Sequence, residues 1–435
     1  MILPRQKGHR DDSMNFTFLH AADLHVDSPL KGLDRYEGAP VERLRNATRQ
    51  ALEALVDTAL NARVDFLLLA GDIYDRDWQD FHTGLFFREQ MVRLERGGVR
   101  VFMVQGNHDA QGVISRQLHL PENVTVFSSR TAQTEQLEPL SVAIHGRSFP
   151  NRAVDEDWVP EYPAPVAGCF NIGLLHTSLS GRPGHDRYAP TDVAALTAKG
   201  YDYWALGHVH HREVVCESPR IVFPGNLQGR HANETGPKGC DLVRVTPAGI
   251  QSEFTPLDVV RWHRLTLDVT DIKDIAAFVR RVSKALKEAL DGDLERLHAV
   301  RVQLTGMSAL QDLEARQPGT LEAQVRAAAQ DLNGPQVWVE QVRVRLSRPL
   351  ERGQVAARDD AVGELLRLVD EMMEDPDRAA EFLQQPLAGL LDKIPGEVEL
   401  PDWVELKDEQ QVRDLLLDAE STVLARLGEA GQGES

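Results

Sequence analysis

Short apolar runs alternate with amphipathic segments through residues 15–257, and this alternation predicts an α/β fold. The apolar runs are β-prone and bounded by polar residues. We therefore expect strands at 16–20, 64–70, 99–104, 124–127, 141–145, 170–175, 203–206, 212–216, 221–223, 241–245 and 251–255. Residues 41–62 and 83–96 instead carry apolar positions at helical spacing. Because βαβ units come first and antiparallel strands follow, the pattern predicts a two-sheet β-sandwich flanked by helices.

Two further regions follow this sandwich. Residues 262–346 read as strand, helix, strand, helix and strand, which predicts a small α+β capping domain. The rest of the chain has helical spacing, and its last helix, predicted at 407–427, carries a broad apolar face behind a proline-rich linker. The predicted domains are a disordered extension at 1–14, the sandwich at 15–258, the capping domain at 259–346 and an acidic helical region at 347–435.

Five of the apolar runs end in short polar motifs that are rich in metal-ligating side chains. The motifs are Asp23-Leu24-His25, Gly71-Asp72-Ile73-Tyr74-Asp75, Gly106-Asn107-His108-Asp109, His176 alone, and Gly207-His208-Val209-His210. Sites in α/β sheets form at the carboxyl ends of strands, and residues two apart on an extended segment point to the same side. Carboxylate, amide and imidazole donors together suit Mn²⁺, Fe or Zn²⁺. The five motifs therefore predict a site for two metal ions.

The same motifs predict hydrolysis at phosphorus. Two ions about 3.5–4 Å apart clamp a phosphoryl group and activate a water for in-line attack. The leaving oxygen then needs a proton, and His108, beside Asn107, is the predicted donor. Asp109 follows directly, so we expect its carboxylate to fix the tautomer of the His108 ring.

Composition favours a cytoplasmic protein. No apolar run approaches the roughly 18 residues that a membrane span requires, and residues 1–14 lack the apolar segment of a secretory signal. The three cysteines, Cys169, Cys216 and Cys240, show no metal-site spacing and fit reduced thiols.

The charge distribution leaves nucleic-acid binding open although the chain carries a net charge of −19. Residues 347–435 hold 9 Lys and Arg against 22 Asp and Glu, whereas residues 261–346 hold 13 against 12. The acid excess is thus mostly a property of the C-terminal region. The first helix of the predicted capping domain carries a basic stripe that either follows phosphates or is an ordinary solvated face. The stripe consists of Arg280, Arg281, Lys284 and Lys287.

The motif set resembles the calcineurin-like metallophosphoesterase superfamily. Within it, the segments His20–Pro29 and Pro224–His231 resemble the SbcD and YhaO group of DNA-repair exonucleases. The resemblance implies that the first metal is held by Asp23, His25, Asp72 and His210, the second by Asp72, Asn107, His176 and His208, and that His108 is catalytic. Some relatives place a histidine three residues after the bridging aspartate, where this chain has Asp75. Candidate substrate contacts are Asp75, Arg230, His231, Arg281 and Lys284.

The resemblance implies a Mn²⁺-dependent exonuclease or endonuclease in DNA repair. The motifs also fit a phosphodiesterase or phosphatase acting on small molecules or phosphoproteins, because the metal chemistry is shared. A third reading is a DNA-end scaffold for a coiled-coil ATPase. Implied partners are DNA and an ATPase of the SbcC or YhaN type, docked on the C-terminal helices, and a homodimer is left open. The alternative for the last helix is that it packs on its own capping domain.

Overall fold

The structure is a computed structural model. It describes residues 14–28, 39–75, 81–110, 119–179, 188–290, 293, 295–332, 337–347, 356–375, 378–382, 410, 412–413, 415–417, 419–420 and 423. The chain forms two compact units. The first unit consists of the chain up to His263 together with the separate segment Glu295–Ala299. The second unit consists of Arg264–Leu294 and the chain from Val300 onward.

Within the described residues, fifteen strands and seven α-helices have the following bounds, beside two short 3-10 helices and further helical residues after Glu374. The strands are β1 (Phe16–Ala21), β2 (Phe66–Ala70), β3 (Arg100–Val104), β4 (Val124–Val126), β5 (Gln133–Leu137), β6 (Val142–Gly146), β7 (Phe170–His176), β8 (Tyr203–Gly207), β9 (Glu213–Glu217), β10 (Arg220–Phe223), β11 (Gly239–Thr246), β12 (Gly249–Pro256), β13 (Val260–Asp268), β14 (Leu297–Met307) and β15 (Val337–Ser347). The helices are α1 (Val41–Asn61), α2 (Phe81–Arg96), α3 (Val193–Ala198), α4 (Ile275–Leu290), α5 (Leu310–Arg316), α6 (Thr320–Gln330) and α7 (Ala361–Glu374).

Two six-stranded sheets form the first unit. Their strand orders are β12-β11-β1-β2-β3-β4 and β5-β6-β7-β8-β10-β9. Strands β1 to β4 run parallel, and so do β6, β7, β8 and β10, whereas β11, β12, β5 and β9 pair antiparallel. The parallel strands therefore deliver their carboxyl ends, and the polar motifs that follow them, to the loops where a site forms.

An aromatic core joins the inner faces of these two sheets. Phe18 stacks on Phe66 with ring centroids 5.1 Å apart, and Tyr203 of the other sheet meets Phe18 edge-on at 5.3 Å. A separate apolar cluster packs α1 and α2 against the outer face of the first sheet, through residues such as Leu52 and Met91. The predicted sandwich with flanking helices is confirmed.

Two details of the first unit differ from the sequence expectation. Strand β5, Gln-Thr-Glu-Gln-Leu, is absent from the predicted strands, because it is an edge strand whose mostly polar side chains give no apolar signal. Met14, expected to belong to the extension, is buried with Phe16 in the inner core. Residues 1–13 lie outside the described residues.

The second unit contains the three-stranded sheet β13-β14-β15. Hydrogen bonds join Leu297 to Val259 at one end and Val269 to Thr305 at the other, so β13 and β14 run parallel. Helices α4 and α6 cover one face of this sheet with an apolar cluster. The cluster includes Phe278, Val282, Leu286, Leu321, Val325, Val300, Val302 and Leu304. The strand–helix alternation expected for 262–346 is present, while the domain boundary at 258/259 stays a prediction.

The helical region continues this unit after α7. Val412 and Leu416, from the predicted last helix, are buried in one cluster with Met372 and Ala379. The described part of that helix therefore packs on neighbouring helices of its own region. The proline-rich linker at 394–401 lies outside the described residues. Within the described part of the chain, no helix is long and apolar enough to cross a membrane.

Candidate metal centre

The ends of β2 and β8 approach each other closely, which brings the motifs that follow them together. A Cβ at Gly207 would lie 1.9 Å from the Ala70 carbonyl oxygen, so only glycine fits at the end of β8. A Cβ at Gly106 would likewise lie 2.2 Å from Asp72 Oδ1. These two glycines let the loops after three strands share one small volume.

Four predicted ligands hold a left-handed backbone conformation that non-glycine residues seldom adopt. The φ angles are 52° at Asp23, 41° at His25, 53° at Asp72 and 100° at His208. Such strain costs about 1–3 kcal/mol per residue and tends to cluster at functional sites. These four residues follow the ends of β1, β2 and β8, and their ligand atoms lie close together.

Three groups of side chains place their ligand atoms within 4.8 Å of one another. They are Asp23 with His25 and His210, Asp72 with His176 and His208, and His25 with Asp72 and His108. Asp72 Oδ2 lies 3.4 Å from His176 Nε2 and 3.9 Å from His25 Nε2. One oxygen of the Asp72 carboxylate thus faces imidazole nitrogens of both His176 and His25.

The hydrogen bonds of the imidazoles leave acceptor atoms facing each other, which fits bound cations. His176 Nδ1–H donates to the Ala70 carbonyl at 2.9 Å, and its Nε2 faces Asn107 Oδ1 at 2.9 Å, a contact that needs either a proton on Nε2 or a shared cation. His210 Nδ1–H donates to Glu234 at 2.7 Å, which points its Nε2 lone pair at His25 Nε2, 3.2 Å away. Converging lone pairs repel one another unless a proton or a metal ion lies between them.

Electrostatics favour the charged form of the Asp72 carboxylate. Burial alone would raise the pKa of Asp72, but His176, His25 and His108 hold it well below its ordinary value. Burial opposes protonation of His176, yet Asp72 raises the pKa of its ring to about 9. Burial also raises the pKa of Asp23 to about 6 against the attraction of His210. The Asp72 carboxylate is therefore negatively charged and can attract a cation.

Asp75, not Asp109, orients His108. Asp75 Oδ1 lies 2.8 Å from His108 Nδ1, and its other oxygen accepts the hydroxyl proton of Ser28 at 2.6 Å. Asp109 accepts three backbone N–H groups at 3.0–3.1 Å instead, from Ile73, Tyr74 and Gly106. The prediction that Asp109 fixes the His108 tautomer is wrong, because the Asp109 carboxylate binds these backbone N–H groups while Asp75 contacts the ring.

Comparison with known proteins agrees with this geometry. Residues 16–212 match the calcineurin-like phosphoesterase family, and residues 262–347 match the middle domain of the metallophosphoesterase YhaO. The chain is 39% identical to "Uncharacterized metallophosphoesterase YhaO" of Bacillus subtilis over 272 residues, which cover 62% of this chain and 67% of that protein. The chain belongs to the calcineurin-like metallophosphoesterases of the YhaO and SbcD type.

More distant relatives of this metallophosphoesterase are named for DNA repair or as a nuclease. It is 23% identical to "DNA double-strand break repair protein Mre11" of Methanopyrus kandleri, with 82% of each chain covered. It is 29% identical to the SbcD subunit of the nuclease SbcCD of Escherichia coli K12, covering 48% of this chain and 59% of that protein. The predicted enzyme class, a metal-dependent hydrolase of phosphoester bonds, is confirmed, and the family implies divalent metal ions.

The metallophosphoesterase also holds a carboxylate that the sequence did not single out. Glu234 is buried, contacts His210 Nδ1 at 2.7 Å and accepts from Arg230 at 3.0 Å. Arg230 in turn lies 3.8 Å from Asp75, so it links the partners of His210 and His108. The attraction of His210 and Arg230 outweighs burial and keeps the pKa of Glu234 far below its ordinary value. In the sequence, Glu234 follows Arg230 by four residues, a spacing that could have suggested this ion pair.

The remaining candidate substrate contacts are His231 in the first unit and Arg281 and Lys284 in the second. His231 is exposed, with Nε2 3.7 Å from Glu234. Arg281 and Lys284 lie on the exposed side of α4 in the second unit, where Lys284 Nζ is 3.7 Å from Glu288. Their roles stay predictions.

Proposed function

We propose that this chain is a Mn²⁺-dependent nuclease that cleaves phosphodiester bonds in DNA during repair. The observation that carries the proposal is the Asp72 carboxylate between two imidazole groups, with the His108 ring held beside it by Asp75. The names of the Mre11 and SbcD relatives support DNA as the substrate. The mixture of oxygen and nitrogen donors supports manganese.

We propose that Asp23, His25, Asp72 and His210 hold one ion, and that Asp72, Asn107, His176 and His208 hold the other. Bound ions supply the positive charge that polarises the phosphodiester and acidifies the attacking water. The protein fixes the donor atoms beforehand: His208 N–H donates to Asp23 at 3.0 Å, and His108 N–H donates to Asp72 at 3.0 Å. These backbone contacts set where each carboxylate points.

His108 supplies the proton for the leaving oxygen. The Asp75 carboxylate accepts Nδ1–H and stabilises the protonated ring, which leaves Nε2–H free to donate. Arg230 and Ser28 hold Asp75 from the other side, so the ring keeps one orientation. Asp109 supports the reaction only through the backbone of the loops that it joins.

The proposed partner and compartment have separate support. The SbcD relative is named as one subunit of the nuclease SbcCD, which supports a coiled-coil ATPase of the SbcC or YhaN type as partner. Three cysteines without disulfides support a reducing, cytoplasmic location.

The direct test is purified protein with Mn²⁺, assayed on labelled linear duplex DNA, on single-stranded DNA and on a small chromogenic phosphodiester. We expect metal-dependent cleavage of all three, with chelator abolishing each. Cleavage of the small diester alone would exclude DNA as the substrate and favour a small-molecule phosphodiesterase. Cleavage of none would contradict the proposal.

A further inference from the structure

The sheet of the second unit has one apolar face and one basic face. Alternate residues of each strand point to opposite sides, and the side that carries Leu267, Val302 and Leu304 packs on α4 and α6. The intervening positions on the three strands carry Arg264, Thr266, Asp268, Arg301, Gln303, Thr305, Glu340, Arg343 and Arg345. Four arginines thus share the face that these helices do not cover, which we call the arginine face.

The arginines of this face lie close enough to repel one another. The pKa of the Arg343 guanidinium lies below its ordinary value, because partial desolvation and the nearby Arg301, Arg345 and Arg264 outweigh the attraction of Glu340. Arg301 also makes a bidentate pair with Glu340, at 2.8 and 2.7 Å. The pair with Glu340 fixes the position of the Arg301 guanidinium.

Like charges on adjacent strands destabilise a sheet, so such a face gains stability from an anionic ligand. The chain as a whole carries a net charge of −19, which makes a cluster of four arginines a local exception. Arg264, Arg343 and Arg345 are exposed, and they stand on strands rather than on flexible loops. The arrangement therefore sets several guanidinium groups on one face of a regular sheet.

We propose that the arginine face binds the phosphate backbone of the DNA that this enzyme cleaves. Guanidinium groups grip phosphate oxygens in a bidentate manner, and hydroxyl and amide side chains such as Thr266 and Gln303 donate to them as well. Contacts of this kind carry no sequence information, which suits an enzyme that acts on DNA ends of any sequence. This inference rests on the proposed nuclease function.

The basic stripe of α4 is the competing surface, and it lies on the other side of the sheet. Its helix turns Phe278, Val282 and Leu286 toward the sheet, so Arg281 and Lys284 lie on the helix side, where Arg281 Nη1 is 3.5 Å from the Asp268 carbonyl oxygen at the end of β13. Lys284 is also paired with Glu288. One DNA segment running along the arginine face would therefore leave the stripe untouched.

The test is double charge reversal, Arg343→Glu with Arg345→Glu, measured by DNA binding at several salt concentrations. The matched control is Lys273→Glu with Arg316→Glu, two exposed residues of the same unit with the same change in net charge. We expect the first variant to bind duplex DNA at least about tenfold more weakly. Its slope of log affinity against log salt should fall by about two, since each phosphate contact contributes roughly 0.9. The control should keep the wild-type slope.

Hydrolysis of a small phosphodiester distinguishes failure of the proposed nuclease function from failure of this inference alone. If wild-type protein hydrolyses the diester but binds no DNA, the DNA substrate and this inference both fall. If it binds DNA and the arginine-face variant binds equally well, or loses no more than the control, only this inference falls. Loss confined to Arg281→Glu with Lys284→Glu would also overturn it. Arg343→Gln with Arg345→Gln repeats the test should charge reversal prevent folding.

Discussion

The carboxylate of Asp75 decides how the His108 ring presents its proton. It contacts Nδ1 at 2.8 Å, while the neighbouring Asp109 is committed to three backbone N–H groups. We propose that a ring held in this way acts as a general acid through Nε2. General acid catalysis contributes about 10²–10⁴-fold to a rate.

His108→Ala should therefore lower turnover on a small phosphodiester by about 10²–10⁴-fold while metal content stays normal. Asp75→Asn should lower it less, because an amide still positions the ring but does not stabilise its protonated form. Elemental analysis and rates on substrates with good and poor leaving groups check this, since a good leaving group needs less protonation. Loss of metal from His108→Ala would instead make His108 a ligand.

His20 makes stability depend on pH from within the inner core. Its Nε2–H donates to the Leu206 carbonyl at 3.1 Å, so Nδ1 accepts from the Tyr203 hydroxyl at 3.1 Å. Burial lowers the pKa of His20 to about 4, against partial compensation by Asp241. Between pH 6.5 and 4 the unfolded chain binds a proton that the folded ring refuses, so this contribution to stability is lost as pH falls.

His20→Gln should accordingly show a shallower loss of unfolding free energy than wild type between about pH 6.5 and 4.5. The difference arises because glutamine does not titrate, whatever the mutation costs at neutral pH. Urea titrations at a series of pH values measure it. Parallel curves for the two proteins would show that His20 does not drive the acid sensitivity.

At the residue scale, the sequence predicts the functional residues that belong to short continuous motifs. Asp23, Asp72, His176, His208 and the other proposed ligands follow apolar strands, so topology alone brings them to one edge. The sequence suggests a substrate contact for Asp75 rather than a contact with His108, and it gives no role to Glu234. Both contacts depend on how separate loops meet in space, which local periodicity does not encode.

At the scale of elements, strands with buried side chains are predictable and the exposed one is not. Strand β2, Phe-Leu-Leu-Leu-Ala, is buried along its whole length and gives a continuous apolar run. Strand β5 lies at a sheet edge and carries polar residues. The arginine face is invisible in the sequence for a related reason: its members are spread over three strands that only the sheet brings together.

The last predicted helix offers two neighbouring leucines with different surroundings. Leu416 is 3% exposed and packs with Met372 and Ala379, whereas Leu417 is 39% exposed. Leu416→Asp should lower the unfolding free energy of the helical region by at least about 2 kcal/mol, because an unpaired charge would be buried. Leu417→Asp, the matched control, should be close to neutral.

Denaturation followed by circular dichroism measures both leucine variants. Equal effects would mean that this helix does not pack on α7. A Leu417→Asp protein that stays stable but no longer co-purifies with the proposed ATPase would support partner docking on the exposed side.

At the scale of the whole molecule, the two units carry different candidate functional regions. The first unit holds every member of the three ligand groups, and the second carries the arginine face and the acidic helices. The acid excess lies in residues 347–435, outside the strands that we propose bind DNA. This segregation of charge along the chain is compatible with the proposed DNA substrate, although the whole protein is acidic.

The central claim is that Asp72 bridges two metal ions that act together on phosphorus. Elemental analysis of protein reconstituted with Mn²⁺, beside hydrolysis of a small phosphodiester, tests it most directly. Wild type and the surface control Asp57→Asn should hold two ions per chain and turn over equally. Asp72→Asn should lose at least one ion and nearly all activity. An Asp72→Asn protein that keeps two ions and full turnover would contradict the account.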